Sequence, residues 1–239
     1  MEFYRTLSEY YEEIFPLKEQ QKKFFRDYLA RENIGSILDA GCGTGAYVLE
    51  FSDWGIDAMG VDLSPEMVDI ARRRGEERNG RARFAVADML DLATVTERFD
   101  GILCTGNTLA HLAEKGQLQQ ALYQFRQKGE NLLIQVVNYD RILLNKVTEL
   151  PEIRTPNLVF RRYYKHLPNG LIEFCMEIEL LAQVKTLGAV NTLLPLTRQD
   201  LEQGFAESGW KPVTWWGSFG GEDWSEDSPA TIVAAKLNH

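Results

Sequence analysis

Three glycines follow a short apolar run near the start of the chain, and an acid stands close to the end of that run. The run SILDA, at 36–40, leads into the loop formed by Gly41, Gly43 and Gly45, and Asp39 comes just before the glycines. Between a strand and a helix, such glycines let a ligand approach the backbone because no Cβ blocks the way. The amides at the helix N-terminus then face that ligand. A tight turn without a ligand is the alternative, but the surrounding strands favour a binding loop.

Two further acids stand at the ends of the next two predicted strands. Asp62 closes DAMGVD at 57–62, and Asp88 closes RARFAVAD at 81–88, where Met89 follows. Because open α/β sheets bind ligands at the carboxyl ends of their strands, we expect both acids to lie near the glycine loop. There Asp62 can accept hydrogen bonds from ribose hydroxyls and Asp88 from an adenine amine, while Met89 packs on the ring. Taken alone, Asp62 is equally explained as a helix N-cap or a turn residue.

The charge and spacing of the loop distinguish between two nucleotide-containing cofactors. A dinucleotide site is typically G-x-G-x-x-G, with a pyrophosphate over the helix N-terminus, whereas this loop reads G-x-G-x-G. The acid Asp39 repels a pyrophosphate but suits a cation, and S-adenosylmethionine carries a sulfonium and an ammonium. The sequence therefore favours S-adenosylmethionine, and an NAD-dependent enzyme is the weakest alternative.

Four stretches resemble the successive motifs of class I S-adenosylmethionine-dependent methyltransferases. They are LDAGCGTG, VDLSPEMV, the turn Ala-Asp-Met and FDGILCTGN, and the resemblance spans about residues 36–140. It implies a seven-stranded sheet whose last strand is antiparallel, with the glycines at the methionine moiety, Asp62 at the ribose and Asp88 at the adenine. In similar enzymes an N-terminal tyrosine covers the cofactor, a role that falls to Tyr11 here unless its ring simply packs. The full predicted cofactor set is Tyr11, Asp39, Gly41, Gly43, Gly45, Asp62, Leu63, Asp88, Met89 and Cys104.

Strands that alternate with helices predict an α/β fold with a Rossmann-like, doubly wound sheet. From about residue 150 the pattern changes, and alternating segments around Asn169-Gly170 predict an antiparallel β-hairpin. A helix over 196–210 and two strands then complete the chain. We therefore predict one methyltransferase domain over 1–239, with an N-terminal helical cap over the cofactor site at 1–33 and an inserted β lid at 150–195.

Three residues are predicted to act on the acceptor. Methyl transfer is an in-line displacement, so the protein mainly has to align the acceptor and exclude water. Asn107, in the loop that faces the transferred methyl in similar enzymes, and Tyr139 are the predicted aligning residues. His111, four residues beyond Asn107 on the same face of a predicted helix over 108–127, is a candidate general base. A packed or solvated helix histidine is the alternative for that position.

The segments GNTLAHL, at 106–112, and NYDRIL, at 138–143, are similar to parts of the glycine and sarcosine N-methyltransferases. In that group an arginine directly before Asn-Tyr-Asp grips the substrate carboxylate, but the matching residue here is Val137. Valine cannot make such a clamp, so glycine is not the expected acceptor. The Asn/Asp-Pro-Pro-aromatic sequence of methyltransferases that act on base amines or glutamine is also absent. We predict methyl transfer to a nitrogen or oxygen of another small molecule.

Composition narrows the partners and the compartment. A net charge of −9 and a pI near 5.0 argue against a nucleic-acid partner, although the basic and aromatic run at 161–166 leaves RNA as a minority alternative to a charged edge strand. Three scattered cysteines and three histidines predict neither a disulfide framework nor a metal site. With no secretion signal or long apolar run, we expect a soluble, cytoplasmic protein without a membrane partner. The oligomer remains open between monomer and homodimer.

Two further functions stay open from the sequence. The first is a methyltransferase that acts on RNA or protein, which requires a basic groove beside the loop at Cys104–Asn107. The second is a module that binds the cofactor without transferring its methyl group.

Overall fold

The computed structural model describes residues 2–78 and 81–238, and eleven strands are found within them. They are β1 (Ser36–Ala40), β2 (Asp57–Asp62), β3 (Arg83–Val86), β4 (Gly101–Cys104), β5 (Asn131–Val137), β6 (Ile153–Arg154), β7 (Leu158–His166), β8 (Ile172–Leu180), β9 (Lys185–Leu193), β10 (Trp210–Trp216) and β11 (Ala230–Leu237). Seven of them form the central sheet, in the order β10-β11-β5-β4-β1-β2-β3. β11 runs antiparallel to both of its neighbours, while β1 to β5 pair in parallel. The predicted Rossmann-like, doubly wound sheet with an antiparallel last strand is confirmed.

Eight α-helices occur in the described part of the chain. They are α1 (Glu2–Glu9), α2 (Tyr11–Ile14), α3 (Glu19–Arg31), α4 (Ala46–Asp53), α5 (Pro65–Glu77), α6 (Lys115–Lys128), α7 (Tyr139–Leu144) and α8 (Arg198–Ser208). The Ser64 hydroxyl caps α5 by accepting from Met67 N, and Thr197 caps α8. Across the described residues, no helix has both the length and the apolar character needed to cross a membrane.

Two apolar clusters cover the two faces of the central sheet. One contains Phe25 of α3, and the other contains Phe125 of α6 and Phe205 of α8. Side chains alternate along β1, so that Ile37 joins the first cluster and Leu38 the second. The strands are therefore buried on both faces, which fixes the positions of the loops that follow them.

The inserted segment is a four-stranded antiparallel sheet, which we call the lid sheet (β6 to β9). β7 and β8 form the hairpin predicted around Asn169-Gly170, while β6 pairs with β7 and β9 with β8. β9 starts at Lys185 and continues the sheet beyond that hairpin. The insertion therefore contains two more strands than a single hairpin.

β7 is an inner strand, since β6 pairs with Val159 and Phe160 and the segment at 148–150 bonds to the backbone of Arg162 and Tyr164. This corrects the expectation that the run at 161–166 forms an exposed edge. Arg161 lies between Glu152, Glu177 and Glu179, with N···O distances of 2.9, 3.0 and 2.9 Å. Its charge is balanced within the lid sheet. The basic run therefore offers less positive charge to a nucleic acid than its sequence suggests.

The segment predicted as one helix over 108–127 is divided. Thr108–His111 is a short 3-10 helix that begins after Asn107, whose φ is +67°, and α6 starts only at Lys115. A 3-10 helix has three residues per turn, so Asn107 and His111 do not share a face. The predicted helical relationship between these two residues is wrong.

The predicted N-terminal cap at 1–33 occupies two places. α1 and α2 pack on the lid sheet through an apolar cluster that includes Phe3, Leu7 and Ile14. α3 instead belongs to the helix layer of the central sheet. We call residues 2–15 the N-terminal cap, because only they lie between the lid sheet and the glycine loop.

Candidate functional site

Asp39 is a buried carboxyl group at the carboxyl end of β1. It is 1% exposed, and its Oδ1 has no hydrogen-bond partner among the described residues. Burial, assisted by the negative charge of Asp62, raises the pKa of Asp39 to about 8. A buried polar atom without a partner is unfavourable. The site therefore offers an acceptor to a donor or cation that the chain itself does not supply.

Hydrogen bonds hold the glycine loop against β2. Gly41 N donates to Val61 O at 2.8 Å, and Gly43 N donates to one carboxylate oxygen of Asp62 at 2.8 Å. The other oxygen of Asp62 accepts from Ser64 N at 2.9 Å. Because a carboxylate has about four acceptor positions, Asp62 can still accept from ribose hydroxyls. It joins the glycine loop to the start of α5.

The three glycines of the loop face different surroundings. Gly41, Gly43 and Gly45 all have positive φ, of 87°, 54° and 81°. A Cβ at Gly41 or Gly45 would lie 2.3 or 2.7 Å from a neighbouring side chain, whereas a Cβ at Gly43 would meet only Tyr11, at 3.9 Å. Packing within the protein therefore explains Gly41 and Gly45. Gly43 is where the loop backbone remains open on the side of the N-terminal cap.

Tyr11 lies over this open glycine, close to the acids of the site. Burial raises the pKa of Tyr11 to about 12, and Glu12, Asp62 and Asp39 contribute repulsion. The phenol is therefore neutral at physiological pH. The structure brings the predicted residues Tyr11, Asp39, Gly43 and Asp62 together at the carboxyl ends of β1 and β2.

Three residues that the sequence did not reveal connect the N-terminal cap to the glycine loop. Arg74 Nη1 donates to Glu12 Oε1 and to Thr44 O, each at 2.8 Å. The Thr44 hydroxyl donates to the same Glu12 oxygen at 2.5 Å. We call this set the cap latch. Its partners are 32 and 62 positions apart in the chain, so no local pattern could indicate it.

The residues predicted to contact adenine have less regular positions. β3 ends at Val86, so Asp88 lies in a turn two residues beyond the strand, where its Oδ1 accepts from Leu90 N at 2.9 Å. Met89 is partly buried against the core. Leu63 is 69% exposed, directly after Asp62. An apolar side chain at that place is free to contact a planar ring.

Asn107 and Tyr139, the two predicted aligning residues, contact each other. Asn107 Nδ2 donates to the Tyr139 hydroxyl at 2.9 Å, and Asn107 Oδ1 accepts from Val137 N at 3.0 Å. Tyr139 is fully buried, and its pKa lies well above the usual value, chiefly because of burial. Its hydroxyl accepts from Asn107 and is therefore oriented to donate its own proton elsewhere.

His111 stands apart from that pair. Its ring makes no hydrogen bond with another described residue, and protein around the ring lowers its pKa below the usual 6.5, while Asp62 opposes the shift. The residue is nevertheless solvent-exposed. A neutral imidazole is thus the main form at pH 7, as a general base requires.

Cys104 ends β4 and is fully buried. Burial, with a smaller contribution from Asp39, raises the pKa of its thiol well above the usual range. The thiol therefore stays protonated and does not act as a nucleophile. Its position next to Asp39 allows a packing role at the site. All three cysteines are free, and the described residues contain no cluster of three or more groups that could hold a metal.

Residues 37–129 match a family model described as a methyltransferase domain. The chain is 30% identical, over 129 residues, to a glycine/sarcosine N-methyltransferase of Parasynechococcus marenigrum (strain WH8102), which covers 52% of this chain and 46% of that protein. It is 36% identical, over 90 residues, to a dTDP-3-amino-3,6-dideoxy-alpha-D-glucopyranose N,N-dimethyltransferase of Streptomyces fradiae. That match covers 38% of this chain and 33% of the other protein. The chain therefore spans less than half the length of these curated relatives.

A crystal structure of an S-adenosylmethionine-dependent methyltransferase from Clostridium acetobutylicum ATCC 824 has a similar fold. The TM-score is 0.84, with 14% identity, over 99% of this chain and 100% of that one. At that identity, the likeness bears on the fold alone.

The family match, the strand order and the glycine loop together define the class. Residues 37–129 are similar to a methyltransferase domain, and the strand order is the one expected for class I S-adenosylmethionine-dependent methyltransferases, so the resemblance seen in the motifs is confirmed. S-adenosylmethionine is the cofactor of this class. The site fits such a cofactor, because Asp39 lacks a partner for its buried oxygen and the backbone at Gly43 is open.

Proposed function

We propose that this protein transfers the methyl group of S-adenosylmethionine to a nitrogen or oxygen nucleophile of a small molecule. The observation that carries the proposal is the carboxyl group of Asp39, buried and without a partner directly before the glycine loop. The ammonium or sulfonium of the cofactor supplies the positive charge that this group lacks. Its ionised form then becomes favourable in the bound state.

We keep the cofactor-binding residues predicted from the sequence and assign each group of them to a different part of the cofactor. Asp39, Gly43 and Tyr11 hold the methionine and sulfonium end, and Asp62 accepts from the ribose hydroxyls. The adenine lies near Asp88, with Leu63 and Met89 supplying apolar contacts. In this proposal Gly41, Gly45 and Cys104 shape the site through packing within the protein.

Bound S-adenosylmethionine supplies a methyl carbon made electrophilic by the positive sulfur. The remaining work belongs to the chain's own residues, which position the acceptor and exclude water. Tyr139, fixed by Asn107 at 2.9 Å, can donate a hydrogen bond to an acceptor heteroatom. His111, neutral at pH 7, can take the proton that an amine or hydroxyl loses.

Several observations favour a small acceptor over RNA or protein. The relatives named above act on glycine, on sarcosine or on an amino sugar, according to their names. The net charge is −9, and the glutamates around Arg161 balance its charge. We also propose a cytoplasmic location, which the three free cysteines support.

Binding of the cofactor and its product tests the proposal. We expect S-adenosylhomocysteine at 100 times its Kd to stabilise the protein by about 2.7 kcal/mol, seen as a rise in Tm. Methyl transfer is then followed as S-adenosylhomocysteine release across amines, hydroxy acids and amino sugars. If neither S-adenosylmethionine nor S-adenosylhomocysteine raises the Tm, the proposal is wrong. Tight binding without any turnover would instead support a binding module.

A further inference from the structure

Two arginines stand out because a buried nitrogen of each has no hydrogen-bond partner among the described residues. These nitrogens are the Nε atoms of Arg141, on α7, and Arg162, on β7, and neither donates a hydrogen bond. Arg162 Nη2 donates to Pro151 O at 2.7 Å, whereas within the described part of the chain no hydrogen bond is found from the side chain of Arg141. Other arginines on these elements and their neighbours, such as Arg161 and Arg198, have glutamate partners.

Arg162 lies on the face of β7 that is turned toward the protein interior. Residues two apart on a strand share a face, and on either side of Arg162 are Phe160 and Tyr164, 1% and 4% exposed. Phe160 belongs to the cluster with the N-terminal cap, and Tyr164 to the core of the central sheet. Arg162 is therefore placed where the lid sheet, the N-terminal cap and the central sheet meet.

A continuous series of contacts connects this place to the cofactor loop on one side. Tyr11, over Gly43, has its ring centroid 5.2 Å from that of Phe15, and Phe15 is 5.8 Å from Phe160. The guanidinium of Arg162 lies 5.4 Å from the centre of the Phe160 ring. The path from the glycine loop to Arg162 thus consists of aromatic rings.

On the other side, the same place is connected to the aligning pair. Arg162 and Arg141 both lie close enough to Tyr164 to lower the pKa of its hydroxyl, against the larger raising effect of burial. Tyr164 in turn raises the pKa of Tyr139, after the larger effect of burial. Tyr139 contacts Asn107. The two guanidinium groups therefore lie on the acceptor side of the proposed methyl-transfer site.

We propose that Arg141 and Arg162 form a receptor for a carboxylate group of the methyl acceptor, so that the substrate is an acid. A buried guanidinium with free donors is unfavourable by itself and binds a planar carboxylate strongly. Burial without a nearby acid lowers the pKa of Arg162 below its usual range, which agrees with an anion site that the chain does not fill. The inference depends on the proposed function, since it specifies the acceptor of the same site.

The test compares acids with their amides on protein saturated with S-adenosylhomocysteine. The probes are 4-aminobenzoate with 4-aminobenzamide, and lactate with lactamide, measured by isothermal titration calorimetry. We expect at least one acid to bind at least tenfold more tightly than its amide. Arg162→Met and Arg141→Met should each weaken binding of that acid roughly 30-fold or more, because one partner of a desolvated charge pair is lost.

Lys165→Met provides the matched control on the same strand. Lys165 is exposed and lies on the face of β7 opposite to Arg162, where its Nζ is 3.7 Å from Oε2 of Glu173 on β8. Its replacement therefore changes the net charge by the same amount without altering the receptor. Acid binding should not change in this variant. Binding of S-adenosylhomocysteine itself reports whether each variant folds and whether the proposed function stands.

The outcomes separate the two claims. If S-adenosylhomocysteine fails to bind the unaltered protein, the proposed function is wrong. If S-adenosylhomocysteine binds but no acid binds better than its amide, or the preference survives in both arginine variants, the carboxylate receptor is wrong while the proposed function stands. Loss of the preference in both arginine variants, with the Lys165 control unchanged, supports the receptor.

Discussion

Asp39 combines two properties that oppose each other in the protein without cofactor. It lies at the end of a buried strand, where a charged group is unfavourable, and one of its oxygens has no hydrogen-bond partner among the described residues. Its pKa of about 8 means that the carboxyl group is mostly protonated at pH 7. A bound cation reverses this balance, because ionisation is then favoured by attraction. Binding of the cofactor is therefore coupled to release of a proton.

This coupling gives the first prediction. At pH 7, binding of S-adenosylmethionine should release close to one proton to the solvent, and Asp39→Asn should release none. Isothermal titration calorimetry in two buffers of different protonation enthalpy measures the number. Proton release near zero in the unaltered protein would show that Asp39 does not meet the cofactor's charge.

The stability of the protein without cofactor should follow the same group. Between about pH 4 and pH 8 the folded state keeps the Asp39 proton that the unfolded state has lost. The free energy of unfolding therefore falls as pH rises, by at most about 1.4 kcal/mol per pH unit from this group. Urea unfolding at pH 5 and pH 8 should show a smaller decrease for Asp39→Asn, even if that variant binds no cofactor.

Tyr139 and His111 make separate predictions on the acceptor side. Tyr139→Phe leaves Asn107 Nδ2 without its partner, so we expect a loss of about 1–3 kcal/mol in stability together with a lower kcat and an unchanged Kd for S-adenosylhomocysteine.

His111→Gln should leave stability nearly unchanged and remove the acidic limb of the pH–rate profile. If both variants keep full kcat and the same pH profile, neither residue serves the transfer step.

At the scale of elements, the N-terminal cap depends on the cap latch for its position over the glycine loop. Glu12 lies on α2, Arg74 on α5 and Thr44 in the glycine loop, so three separate parts of the chain meet at one carboxylate oxygen. A partly exposed ion pair of this kind contributes little to overall stability. Its effect should therefore appear in the kinetics of cofactor exchange.

We predict that Glu12→Gln raises the dissociation rate of S-adenosylhomocysteine roughly three- to tenfold, which corresponds to about 0.7–1.4 kcal/mol. The free energy of unfolding should change by less than about 1 kcal/mol. Stopped-flow fluorescence measures the rate. Glu2→Gln is the control, because Glu2 also ties the cap to the lid sheet, through Lys185 at 2.6 Å, but lies away from the loop. Equal dissociation rates of S-adenosylhomocysteine from the two variants would show that the cap latch does not control cofactor exchange.

Over the whole molecule, the sequence predicted the central sheet well, because its features are local. β1 and β2 have the predicted bounds, and the helices beyond them are capped by local residues, Ser64 and Thr197 at their starts and Gly209 after the end of α8. Each of these signals depends on neighbours within a few residues. The positions of Asp39 and Asp62 at the carboxyl ends of β1 and β2 followed from the same alternation of strands and helices.

The errors arose where distant parts of the chain decide the structure. The helix expected over 108–127 is interrupted at 112–114, where the Ala110 carbonyl accepts at 2.8 Å from the backbone N of Leu194, a residue of the lid segment more than 80 positions away. β7 is an inner strand because β6 pairs with Val159 and Phe160 and because the segment at 148–150 bonds to the backbone of Arg162 and Tyr164. Neither partner has a clear pattern in the sequence. The cap latch and the unpaired Arg141 and Arg162 likewise depend on tertiary contacts that no spacing reveals.

The place of β11 in the central sheet has a consequence for synthesis of the chain. β11 is the last strand of the sheet along the sequence, yet it lies between β5 and β10. Until residue 237 has left the ribosome, β5 has an unpaired edge and β10 has no neighbour. Exposed apolar edges of this kind associate with other chains. Nascent chains that stop before residue 230 should therefore depend on chaperones, because the sheet can close only after β11 has been synthesised.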